Sequence, residues 1–240
     1  MSKTILLALA CAGLVALASV SASAVVVYDT FTRPDGPALG TTEDALHVPW
    51  VKGAAADPNN MKISRNRLYL GGDDLVPGGA YLGGGYGVVD FDMSFSFQAA
   101  QGLYSNWYAF VLYRGAEATA GTEDYGAFNL EILGNGVIYL YTSATGHLAG
   151  VGTGIDFFAA PHTFRVKATG QQHDLWIDGL PIYSVTTPYM GGGGTITLGH
   201  RHLNCYYDSL SIEGEVIPEP ATITCLAAGI AALVGRRRRR

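Results

Sequence analysis

Residues Val88–Gln98 alternate with a period of two: Phe91, Met93, Phe95 and Phe97 interleave with Asp92, Ser94, Ser96 and Gln98. Successive side chains of an extended chain point to opposite faces, so this segment reads as a half-buried strand. The rest of the body repeats the theme. No stretch sustains a helical period, and short runs rich in Val, Ile, Phe, Tyr and Thr are separated by Gly, Pro, Asn and Asp. Strands are expected near Val26–Thr32, Met61–Leu70, Gly79–Leu82, Val88–Gln98, Trp107–Arg114, Gly126–Leu133, Val137–Thr142, His162–Ala168, Asp174–Ile177, Leu180–Val185, Thr195–Gly199 and Tyr206–Glu213. Asn135-Gly136 and Asp178-Gly179 suit two-residue primed turns, which require positive φ. Short strands, tight turns and no internal helix predict an all-β fold, an antiparallel β-sandwich.

The ends are of another kind. Met1–Lys3 is a short basic start, Ile5–Val20 is apolar, and Ala22-Ser23-Ala24 is a small-residue cleavage site, so residues 1–24 read as a Sec signal peptide with the mature chain beginning near Val25. Cys11 has Ala8 rather than Leu three positions before it, which argues against a lipid anchor. At the other end the prolines of Pro218-Glu219-Pro220 fix φ and remove donors, leaving a stiff, extended stretch. The apolar run Ala221–Gly235 has 15 residues, against the roughly 20 that cross a bilayer core. It spans only with thinning and snorkelling, and Arg236–Arg240 would stay cytoplasmic.

Pro-Glu-Pro, short helix and basic end resemble, in that order, the PEP-CTERM sorting signal of Gram-negative bacteria (residues 217–240). The resemblance implies an exosortase as partner, acting at Pro218, Glu219 and Pro220. It also implies Sec export, transient inner-membrane anchoring through the short helix, and delivery to the cell surface or extracellular matrix. An ordinary tail anchor is the alternative.

Between the signals lies one domain, residues 25–216, long enough to bury about 70% of its unfolded surface. Of 15 basic residues, six lie in the terminal segments, and of 20 acidic residues only Glu219 does, so the body carries about −10. That balance disfavours nucleic acid and anionic lipid. Cys205 stands alone in the body, so no internal disulfide forms there.

The opening Tyr28–Gly36 (YDTFTRPDG), Pro49-Trp50 and Asn66–Leu70 (NRLYL) resemble the start of concanavalin A-like lectin/glucanase (LamG-like) jelly rolls. His162–Val166 leading to Leu175–Gly179 resembles their hairpin ending in Asp-Gly, and Thr195–Gly199 with Tyr206–Ile212 resembles their last strands. The resemblance implies a jelly roll and, at the meeting of first and last strands, a structural Ca²⁺. Asp29 and Asp208 fall at the corresponding places, with carbonyls near Gly36 able to complete an oxygen cage. A turn-capping Asp208, or one paired with Arg33, is the other reading. Fold alone carries little function, since this sandwich hosts lectins, hydrolases and adhesion modules alike.

Glycoside hydrolysis needs two carboxylates across one bond. Asp90 and Asp92 share a face with Ser94 and Ser96, Glu123 and Asp124 sit in a Gly-rich loop, and Glu131 has only Asn129 beside it, so no catalytic residues are assigned. His200 and His202 have a zinc-compatible spacing but no third ligand nearby. Gly83–Gly87 precedes a strand, not the helix N-terminus that phosphate needs.

Glycans stack on aromatic rings. In the Asn135-Gly136 hairpin, a two-residue turn places Tyr139 and Tyr141 with Phe128, Leu130 and Ile132 in the core, leaving Asn129, Glu131 and Thr142 opposite. On Trp107–Arg114, taking Tyr108, Phe110, Leu112 and Arg114 as core directs Trp107 and Tyr113 to the concave face beside Asn129 and Glu131. Those four are the expected ligand-binding residues, with Trp50 and Trp176 in the core. The resulting expectation is an exosortase-processed surface or matrix protein that binds glycan or exopolysaccharide without catalysis. The alternatives are a secreted polysaccharide-degrading enzyme and a purely structural envelope protein.

Overall fold

In a computed structural model, which describes residues 24–53, 60–71, 78–83, 87–101, 107–115, 128–142, 145–187 and 194–217, every regular element is a strand. The elements are β1 (Ala24–Asp29), β2 (Trp50–Lys52), β3 (Met61–Ile63), β4 (Leu68–Leu70), β5 (Gly78–Leu82), β6 (Gly87–Gln101), β7 (Tyr108–Gly115), β8 (Phe128–Leu133), β9 (Val137–Thr142), β10 (Gly146–Gly152), β11 (His162–Thr169), β12 (Gln172–Ile177), β13 (Leu180–Thr186), β14 (Thr195–Arg201) and β15 (Asn204–Ile217). They form two antiparallel sheets. One runs β13-β12-β11-β6-β15-β4-β3 with β1 also on β15, and the other runs β10-β9-β8-β7-β14-β5-β2. Residues 1–23 of the signal peptide, the Pro-Glu-Pro motif, the apolar run, and Glu123 and Asp124 lie outside the described residues.

The alternation of β6 is realised: Phe91, Met93, Phe95 and Phe97 are buried while Asp92, Ser94, Ser96 and Gln98 are half-buried. Phe95 stacks on Phe164 at 5.2 Å between ring centres. The Tyr207 hydroxyl ties the sheets, lying 2.9 Å from Gly199 O and 3.0 Å from Phe110 O. Cys205 is buried, and burial pushes its thiol up, away from reactivity.

Several local expectations change. Met61–Leu70 is not one strand but a hairpin, β3–β4, because Arg65 and Asn66 take φ of 55° and 56° and Ser64 and Arg67 pair across the turn. The short β2 and the Gly-rich β10 were not expected; both are edge strands with weak alternation. Asp178-Gly179 is a primed two-residue turn, with φ of 50° and 78°. Trp176 is half-buried on the outer face of the eight-stranded sheet, 4.9 Å under the Arg165 guanidinium, rather than in the core. Trp50 is in the core.

Candidate functional site

The decisive local event is the β8–β9 turn. Ile132 pairs with Ile138 and Asn129 with Tyr141, so the loop is Gly134-Asn135-Gly136, three residues rather than two. Of these three only Gly136 has positive φ, 83°, and its amide donates to Leu133 O at 3.1 Å. That is the three-residue hairpin loop with a left-handed last residue. The extra residue shifts β9 by one, and a shift of one carries every side chain to the other face. Tyr139 and Tyr141 therefore leave the core and stand beside Glu131 and Asn129, while Ile138, Leu140 and Thr142 turn inward and are buried.

The same inversion occurs on β7. Ala109, Val111 and Tyr113 join the main core, whereas Phe110 and Leu112 form a separate cluster with Tyr108 on the outer face of the seven-stranded sheet. Both alternating sets on β7 are apolar, so periodicity alone could not choose between them. Tyr113 is thus a core residue, stacked on Phe128 at 5.5 Å and hydrogen-bonded to His173 Nδ1 at 3.2 Å. Burial, with Arg114 nearby, lowers the His173 pKa to about 4, which keeps the ring neutral. Trp107 shares the inward parity, packs against the core half-buried, and lies 4.9 Å from the His202 ring. Of the four expected glycan residues, the fold brings together Asn129 and Glu131 and removes Trp107 and Tyr113.

Their place is taken by residues the sequence reading had put elsewhere. Across the outer face, one row follows the register His147, Tyr141, Asn129, Leu112, Thr197, Tyr81. The next follows Gly150, Tyr139, Glu131, Phe110, Gly199. Two glycines let rings lie down on the sheet: a Cβ at Gly199 would meet the Phe110 ring at 2.1 Å, and one at Gly150 would meet the Tyr139 ring at 2.8 Å. The result is an apolar floor flanked by half-buried Tyr139, Tyr141 and Tyr81. Asn129 Nδ2 donates to Glu131 Oε1 at 3.2 Å, while Asn129 Oδ1 is buried without a partner among the described residues. Gly134 and Gly136 on either side of Asn135 were the sequence signal for a longer loop.

Asp29 and Asp208 do not make a calcium cage. Asp29 is fully buried, and its oxygens accept from Phe31 N at 2.7 Å, Trp50 Nε1 at 2.6 Å and Arg33 Nη2 at 2.5 Å. The guanidinium supplies the positive charge that the metal would have brought. Burial pushes this carboxyl up, against the pull of Arg33, Phe31 and Trp50. Asp208 is half-buried and caps its own turn, accepting from Ser209 N at 2.7 Å, and the Gly36 carbonyl is taken by Ile63 N. These donors do not fit the ion. His200 is buried and His202 packs on Trp107; no cluster of three or more His, Cys, Asp or Glu able to hold a metal occurs among the described residues.

The PEP-CTERM protein-sorting motif is matched over residues 216–240. No curated protein matches the chain. Solved structures of similar fold include the following three. The carbohydrate binding module CBM66 from Bacillus subtilis is 12% identical, covering 69% of this chain and 95% of that one, with a TM-score of 0.52. The Ca²⁺/Man-bound VIP36 exoplasmic/lumenal domain is 13% identical over 72% and 86%, at 0.54. The Bacillus licheniformis beta-glucanase is 13% identical over 81% and 99%, at 0.54. The body is accordingly a two-sheet antiparallel jelly roll of the concanavalin A-like kind, followed by a PEP-CTERM sorting motif.

Proposed function

We propose that this is an exported, exosortase-processed surface or matrix protein whose seven-stranded sheet binds glycan on its outer face, without catalysis. The observation that carries the binding is the grouping of Tyr139 and Tyr141 with Glu131 and the unpartnered Asn129 Oδ1 over an apolar floor. Rings cover the apolar side of a sugar while a buried acceptor wants a hydroxyl donor. Glu131 is the one carboxylate on that face among the described residues, and glycoside hydrolysis uses two. The lectin and carbohydrate-module likenesses support the reading; the glucanase likeness concerns the fold.

Tyr141→Ala is expected to weaken glycan binding by on the order of 1–3 kcal/mol without loss of folding. A glycan array on the mature protein, followed by titration of the best hit, checks it; unchanged affinity in Tyr141→Ala and Asn129→Ala would remove the site. The sorting motif supports processing. Mass spectrometry of the exported form is expected to show a C-terminus near Pro220, and intact Arg240 recovered from a host with an exosortase would refute it.

A further inference from the structure

We propose that the opposite sheet carries a second binding surface, at its β3–β4 edge, for a carboxylate-bearing saccharide. Across that outer face one register row runs Lys62, Tyr69, Tyr206, Gln98. The Tyr69 and Tyr206 rings lie 5.1 Å apart, tilted by 52°. The Arg67 guanidinium sits 4.0 Å over the Tyr206 ring and donates through Nη1 to Gln98 Oε1 at 2.8 Å. The Lys62 ammonium stands 5.4 Å from the centre of Tyr69.

Stacking and one hydrogen bond hold the Arg67 fork in place, so little rotamer freedom remains to be lost when an anion arrives. Its Nε and Nη2 make no hydrogen bond to the described residues. Ion pairs among the described residues engage Arg33, Arg114, His162 and Arg165, but neither Lys62 nor Arg67. Asp208 is close enough to feel the charge of Arg67 yet forms no ion pair with it, and its Oδ1 takes Ser209 N. Exposed Arg65 at the hairpin tip adds a third cation. Three of the nine basic residues of an acidic body thus lie within six positions, and two of them, Lys62 and Arg67, stand over rings and pair with no carboxylate among the described residues.

The guanidinium edge matches a planar carboxylate in two parallel hydrogen bonds. An acidic body repels a dense polyanion such as nucleic acid, which places one charge about every 1.7 Å. A saccharide with one carboxylate per sugar meets the short cationic row with less repulsion. This surface is separate from the one on the seven-stranded sheet, and neither requires the other.

Affinity electrophoresis or calorimetry of the mature protein with polygalacturonate, against its methyl-esterified form, tests the assignment. Affinity should fall about tenfold or more on esterification and in Arg67→Gln/Lys62→Gln, with the melting temperature unchanged. It should also fall steeply as salt rises from about 50 to about 500 mM. Equal affinity for both polymers, wild-type affinity in the double variant, or no retention at low salt would overturn it. So would loss of polygalacturonate binding in Tyr141→Ala, which would place the polymer on the other sheet.

Discussion

Asp29→Ala is expected to destabilise the domain by about 3–5 kcal/mol, the usual cost of removing one partner from a buried ion pair. Asp29 is fully buried and the Arg33 side chain is 18% exposed, so the guanidinium left behind has little water to turn to. The loss reaches further than the pair. The Trp50 indole N–H, in a residue 6% exposed, and the Phe31 amide both lose their acceptor. For a domain of this size each kcal/mol lowers the melting temperature by about 2–4 °C. Asp29→Asn keeps an acceptor and loses the charge, so it should fall between. Thermal melts with and without chelator check the assignment of this site to an ion pair. The melting temperature is expected to ignore chelator in the wild type, and a chelator-induced drop that disappears in Asp29→Ala would restore a metal.

Tyr113→Ala is expected to cost about 3–5 kcal/mol, as for other large aromatic truncations in a packed core. Tyr113 is fully buried, lies nearly parallel to Phe128, and meets Phe91 edge-on at 5.3 Å. Its removal opens a cavity between the sheets and takes a hydrogen-bond partner from His173, whose Nε2 already has none among the described residues. The informative comparison is with Tyr141→Ala, which removes a side chain of the same size from the outer face. Measured together, Tyr113→Ala should lower melting strongly and Tyr141→Ala should lower binding. If Tyr113→Ala melts like the wild type and loses glycan affinity, the faces of β7 and β8 have been assigned the wrong way round.

What the chain determines by itself is local and repetitive. The alternation of Phe91 to Phe97, the Asp178-Gly179 turn and the absence of helical period specify an antiparallel sandwich, because each depends only on near neighbours. The sorting motif is legible for the same reason: its parts are contiguous from Pro218 to Arg240.

The site was half legible. Asn129 and Glu131 interrupt an apolar strand and announce a wet face, whatever pairs with them. Which rings share that face was a tertiary decision. Gly134-Asn135-Gly136 admits a two- or a three-residue loop, and Tyr108–Tyr113 is apolar on both faces, so neither segment settles its own orientation. Packing settles it: Ile138 and Leu140 join Met93 and Val166 in one buried core, and that choice sends Tyr139 and Tyr141 outward. Asp29 shows the same division. Its place in the first strand can be read from sequence, but only the fold brings Arg33 and Trp50 onto its carboxylate, because Trp50 is 21 residues away along the chain.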